Sequence, residues 1–144
     1  MTPLVADAGA FLAATNQRHP RHRAVQRVIS EAPGPIVTSQ VVLAEVDYML
    51  MTRSGVDLEL LFLADVRSGA FRAECLTPDE LGHAVDVIAR YRDLAVGLAD
   101  ASLVALCARY RTSTVLTLDE RCFRAMTPLT GGHFTLLPAD ADQS

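Results

Sequence analysis

Four acidic residues stand where a carboxylate can face a crevice instead of a core. Asp7 closes the apolar run Leu4-Val5-Ala6 and opens a helix at Ala8-Gly9-Ala10-Phe11-Leu12. Asp119 repeats that geometry after Thr114-Val115-Leu116-Thr117-Leu118. Asp100 opens a helix within Gly97-Leu98-Ala99-Asp100-Ala101-Ser102 and points along its apolar stripe of Leu103, Val104 and Cys107. Glu45 falls three residues after Val42 and four before Met49, so it shares the core-facing stripe Val42, Val46, Met49 of a helix over 40–53. Open α/β sheets bind ligands beyond the carboxyl ends of their strands. Acids held there on rigid elements repel one another unless cations neutralise them. Oxygen-only donors suit Mg²⁺ or Mn²⁺ and argue against zinc. Mg²⁺ bridges to substrate phosphates, which makes phosphodiester cleavage the chemistry to expect. Taken singly, Asp7 and Asp100 also read as helix-capping or first-turn acids, and Glu45 as a buried carboxylate paired with an arginine.

The elements around these acids alternate between strand and helix. A helix over 8–14 is followed by a polar break at 16–20 and a second helix over 21–30, with Ala24, Val25 and Val28 as its apolar stripe. Pro33-Gly34-Pro35 stops the chain before a short strand, Ile36-Val37, and Thr38-Ser39 offers a cap for the helix that carries Glu45. The segment 57–68 is apolar nearly all round, through Leu58, Leu60, Leu61, Phe62, Leu63, Ala64 and Val66. Such a helix is either deeply buried or a surface for a partner, and the turn at Gly55 before it favours a groove formed by Leu58, Leu61 and Phe62. A strand over 71–76 follows, then a helix to about Tyr91 opened by the capping box Thr77-Pro78-Asp79-Glu80. His133–Leu137 reads as a last strand at a sheet edge, and the chain from Pro138 onward as frayed. Alternation along the whole length predicts an α/β fold: a three-layer α/β/α sandwich with a mainly parallel sheet of four or five strands.

Composition narrows the classes. A chain of 144 residues that is 50% hydrophobic is one globular domain. No apolar run reaches the ~20 residues of a membrane span. No basic segment precedes an apolar one at the N-terminus, so a cytoplasmic location is expected. Cys75, Cys107 and Cys122 are odd in number and form no CxxC pair, so they read as small core hydrophobes. The net charge of −4 does not advertise nucleic-acid binding, yet Arg18, Arg21, Arg23 and Arg27 cluster with His19 and His22. That cluster is a solvated face or, beside a metal site, a set of phosphate contacts. Every basic residue is arginine. A phosphate-accepting receiver domain, which needs a lysine, is thereby disfavoured, and no glycine-rich phosphate loop occurs.

Val5-Ala6-Asp7-Ala8-Gly9, Val42-Leu43-Ala44-Glu45, Gly97-Leu98-Ala99-Asp100-Ala101-Ser102 and Leu116-Thr117-Leu118-Asp119 together resemble a PIN domain. Length narrows the resemblance to the VapC ribonuclease toxins, with the domain over 1–137 and a tail over 138–144. The resemblance implies an Mg²⁺- or Mn²⁺-dependent endoribonuclease that cuts tRNA or ribosomal RNA, pairs as a homodimer and is blocked by a VapB-type antitoxin. It carries the four acidic positions onto Asp7, Glu45, Asp100 and Asp119. Asp7 and Asp100 would hold the main ion, Asp119 would complete the site or hold a second, and Glu45 would orient or deprotonate the attacking water. Arg18, Arg21 and Arg23 would position the RNA backbone. Many members carry Thr-Ser where this chain has Ala8-Gly9; Thr117 is the residue that could supply the missing hydroxyl. The alternative is a catalytically silent PIN-like module that binds RNA or protein.

Overall fold

The computed structural model describes residues 1–141. Its centre is a five-stranded sheet in the order β3-β2-β1-β4-β5, formed by β1 (Leu4–Ala6), β2 (Ile36–Ser39), β3 (Phe71–Glu74), β4 (Thr114–Leu116) and β5 (Thr135–Leu137). Every pairing is parallel, with Val5 opposite Val37 on one side and Val115 on the other. Side chains alternate across a strand, yet β1 and β2 are buried at every position. Both faces of the sheet are therefore covered, as parallel sheets require. The outer strands β3 and β5 are partly exposed, which fits their place at the edges.

Seven α-helices among the described residues surround the sheet: α1 (Ala8–Thr15), α2 (His22–Glu31), α3 (Gln40–Arg53), α4 (Val56–Ser68), α5 (Pro78–Arg90), α6 (Leu98–Arg109) and α7 (Glu120–Ala125). Phe11 of α1 packs edge-on against Phe62 of α4 and Phe71 of β3, with ring centroids 5.5 and 5.0 Å away. At the stop before β2, a Cβ on Gly34 would collide with the Thr2 carbonyl, so only glycine lets the two segments run side by side. The Thr77–Glu80 capping box forms, with Pro78 at the start of α5. No helix among the described residues is long and apolar enough to cross a membrane.

Strand order decides where a site can lie. The chain builds outward from β1 through β2 to β3, then re-enters on the other side of β1 as β4. The carboxyl ends of β1 and β4 thus flank the point where strand order reverses, the usual ligand crevice of such sheets.

Three expectations change. The helix α4 leaves Leu60 and Leu61 exposed, in line with its favoured reading as a surface, and the change lies at Phe62, expected in the groove and fully covered instead. Phe62 is therefore part of the aromatic core and cannot line a groove. Pro138–Ala141 is not frayed either. Asp140 accepts two bonds from Arg124 (3.1 and 2.6 Å) and one from the Leu136 N–H (2.8 Å), which ties this segment to α7 and β5. The rest of the tail, 142–144, lies outside the described residues. Finally, Cys75 is exposed, unlike the buried Cys107 and Cys122.

Candidate metal centre

Asp7 is the buried acid of the group, with 5% of its surface exposed. It stands at the junction of β1 and α1, so its two oxygens serve different partners. Oδ1 accepts the Ala10 N–H at 3.0 Å and caps α1. Oδ2 accepts the hydroxyl of Thr117, just past the end of β4. Capping and site membership are thus compatible roles for this residue. Thr117 is itself buried, and its oxygen accepts the Asp119 backbone N–H at 2.9 Å. One hydroxyl therefore sets both Asp7 and the chain direction at Asp119.

Asp119 opens α7, and its Oδ1 accepts the Cys122 N–H at 3.4 Å. Asp100 lies in the first turn of α6 and caps nothing; the N-cap is Gly97, which offers no side chain. Instead, Asp100 Oδ2 accepts the Cys122 thiol at 3.6 Å. One oxygen from each of Asp100 and Asp119 and the sulfur of Cys122 all lie within 4.8 Å of one another. Leu94, Ala95 and Arg121 complete a small hollow of about 150 Å³ over them.

Glu45 departs from expectation. The buried stripe of α3 is Val42, Val46 and Leu50, and Glu45 is exposed beside it. The stripe advances one position from that expected, and the carboxylate moves to the rim. It is neither buried nor in an ion pair among the described residues, yet its charge reaches Asp100. A hydroxyl relay holds α3 against α6. Ser102 Oγ donates to the Ala99 carbonyl at 2.6 Å, so the 2.7 Å contact with Ser39 must carry the Ser39 proton. Ser39 also accepts the Val42 N–H and caps α3.

The electrostatics are those of an uncompensated acidic site. Burial pushes the Asp7 carboxyl up to about 6, against the lowering effect of its bonds from Thr117 and Ala10, and Asp100 and Asp119 push the same way. Asp100 is raised first by burial, then by Asp119 and Glu45, with the Cys122 bond opposing. Burial, followed by the charges of Asp100, Asp119 and Asp7, lifts the Cys122 thiol to about 12. None of the four acids forms an ion pair among the described residues. Arg121 lines the hollow without pairing with these acids, and carboxylates gathered in this way outside any ion pair fit a divalent cation.

Cys122 is the member that sequence reasoning placed in the core. Its spacing held the clue, because a residue three after a helix cap lies over that cap. The arginine cluster is exposed, with Arg18, Arg21 and Arg23 outside any ion pair among the described residues. Arg18 shares a concavity of about 560 Å³ with Thr15, Arg53, Leu58 and Leu61; Arg21 and Arg23 do not line it.

The profile described as the PIN domain matches residues 4–127 of this chain. Ribonuclease VapC26 of Mycobacterium tuberculosis is 40% identical over 135 residues, spanning 94% of this chain and 100% of that protein. The crystal structure of M. tuberculosis VapC20, described as a sarcin-ricin loop cleaving toxin, superposes with a TM-score of 0.76 at 23% identity, covering 83% of this chain and 92% of that one. A toxin-antitoxin complex from Klebsiella pneumoniae superposes with a TM-score of 0.66 at 15% identity, covering 85% and 92%. VapBC2 from Rickettsia felis, bound to a DNA fragment from their promoter, gives 0.64 at 12% identity, covering 93% and 96%. At these identities the solved structures speak to the fold alone.

Proposed function

This chain belongs to the PIN-domain family, among its VapC ribonucleases, and from that premise we propose that it is the toxin of a toxin–antitoxin pair. It is a metal-dependent endoribonuclease that hydrolyses phosphodiester bonds in structured RNA, such as tRNA or ribosomal RNA, and thereby inhibits translation. The observation that carries this reading is the meeting of Asp100 and Asp119 in one hollow, with Asp7 near enough for their charges to act on it and none of the three in an ion pair among the described residues.

Asp7, Asp100 and Asp119 would hold the cation, Mg²⁺ or Mn²⁺. When bound, such an ion activates water and stabilises charge on the attacking and leaving oxygens of an in-line displacement. The protein's own share is position and proton transfer. Thr117 and the Ala10 N–H fix the Asp7 carboxylate before substrate arrives, so no reorganisation is needed on binding. Glu45, solvent-facing and close enough for its charge to act on Asp100, accepts the proton of the attacking water at its carboxylate. Arg18, Arg21 and Arg23 meet the RNA backbone as exposed cations.

A VapB-type antitoxin is the proposed partner. Leu58 and Leu61, with Arg18 and Arg53 beside them, offer it an apolar floor with a basic rim. Tyr48, Met51 and Leu60 are further exposed apolar residues of α3 and α4; a homodimer and a cytoplasmic location complete the reading.

The test is RNA cleavage by the purified protein with Mg²⁺ or Mn²⁺, beside Asp7→Asn. The variant should lose cleavage and keep its fold by circular dichroism. Products should carry 5′-phosphate and 3′-hydroxyl ends; full activity of the variant, or 2′,3′-cyclic phosphate ends, refutes the assignment.

A further inference from the structure

The acidic centre is not an all-oxygen site. Cys122 places its sulfur 3.6 Å from Asp100 Oδ2, and one Asp119 oxygen completes a set of three donors within 4.8 Å. The first of these distances is informative. In a tetrahedral site with Zn–S of ~2.3 Å and Zn–O of ~2.1 Å, sulfur and oxygen lie ~3.6 Å apart. The donors come from two helices, α6 and α7, and Cys122 is fixed twice over. Its backbone N–H is held by Asp119, and its thiol by Asp100. A cation arriving between these groups meets a sulfur ligand beside two carboxylates.

We propose that Cys122 makes this a mixed-donor site that prefers thiophilic divalent ions. Zn²⁺ or Cd²⁺ binds through Asp100, Asp119 and the Cys122 sulfur, in competition with the hard ion that supports cleavage. This inference rests on the acidic cluster being the ribonuclease's cation site. On binding, a metal–sulfur bond replaces the S–H bond and the proton leaves to solvent; no oxidation is involved. Mg²⁺ gains nothing from the sulfur, because hard cations take oxygen ligands. Soft thiolate ligands favour zinc and its congeners.

The full chain, stripped of metal and held under reducing conditions, is titrated with Cd²⁺ while the ultraviolet thiolate-to-metal charge-transfer band is followed. Zn²⁺ affinity is measured beside it by calorimetry. The wild type and Cys75→Ser should give the band at one equivalent. Cys122→Ser should lose it, and its Zn²⁺ affinity should fall at least about tenfold. Asp119→Asn keeps the sulfur but removes an oxygen, so its band should need more Cd²⁺, which guards against misfolding of the cysteine variant. Absence of the band from the wild type, or its persistence in Cys122→Ser with loss in Cys75→Ser, overturns the proposal. These readouts need no RNA. Failure here leaves Mg²⁺-dependent cleavage and the Asp7→Asn result untouched, and failure there leaves the sulfur–metal bond measurable.

Discussion

The Thr117 hydroxyl donates to Asp7 Oδ2 across the junction of β4 and β1. Parallel pairing of Ala6 with Leu116 puts the next residues of both strands side by side, so the contact follows from register. Groups that hydrogen-bond a metal-binding carboxylate orient it and commonly change metal affinity 10- to 100-fold. Thr117→Val keeps the shape and removes the hydroxyl. It should weaken the apparent Mg²⁺ affinity at least about tenfold, with Thr117→Ser restoring most of it. Unchanged Mg²⁺ dependence in the valine variant would remove Thr117 from the site.

Asp7 makes the metal-free protein sensitive to pH. Its folded carboxyl titrates at about 6, above the ordinary 3.8, so the folded state holds a proton that the unfolded chain has released. The contribution of Asp7 to stability without metal is therefore greatest below about pH 4, falls as pH rises toward 6, and stays reduced above it. The rise from 3.8 to about 6 corresponds to ~3 kcal/mol. Asp7→Asn should abolish that fall and melt higher than the metal-free wild type at pH 7. Added Mg²⁺ should raise the melting temperature of the wild type and leave the variant where it was. A flat stability profile for the metal-free wild type between pH 4 and 6 counts against a strained, uncompensated Asp7.

Much of this was legible in the sequence. Alternation of short apolar runs with helical stripes gave the parallel sheet, and turn residues such as Pro33-Gly34-Pro35 and the Thr77 box set its boundaries. Asp7, Asp100 and Asp119 were visible because each sits at a strand or helix end, where a polar side chain has a structural reason to be. Glu45 was misplaced because a helix repeats every 3.6 residues. Val42, Val46 and Met49 fit one stripe, Val42, Val46 and Leu50 another, and packing chose the second. Phe62 was misread for a related cause, since an all-round apolar helix does not say which residue meets the core. Cys122 was hidden because a buried cysteine in the core and one under an acidic cluster look alike in composition. Only the arrival of α6 beside α7 separates them.

Arg109 joins the helix that carries Asp100 to its neighbour. Its Nε and a terminal nitrogen donate to Glu80 at 2.8 and 2.6 Å, and the same terminal nitrogen reaches the Cys75 carbonyl at 2.6 Å. Arg109 holds Glu80 down to about 2, from the ordinary 4.5. The folded carboxylate is thus favoured above pH 4.5, and its contribution is lost as pH falls through that value toward 2. The pair is half-buried and two-pronged, between the exposed and the fully buried cases, so Arg109→Ala should cost ~2 kcal/mol at pH 7. The loss should shrink in acid, read by denaturant melts at pH 7 and pH 3. An equal loss at both values would show that Arg109 acts through packing alone.

Glu45 offers the sharpest separation between holding an ion and moving a proton. It is exposed on α3, accepts no hydrogen bond among the described residues, and stands off the Val42–Val46–Leu50 stripe. Glu45→Gln should therefore leave stability within ~0.5 kcal/mol of the wild type. A ligand to the ion and a proton acceptor then predict different kinetics. If Glu45 takes the proton of the attacking water, its amide variant should lose ~10²- to 10⁴-fold in kcat. Mg²⁺ affinity by calorimetry should change by less than about threefold, since the glutamine leaves the three aspartates in place. Lost turnover with intact metal binding is the expected pattern. A parallel collapse of both would move Glu45 from proton acceptor to ligand, and a fully active variant would leave the attacking water to another base.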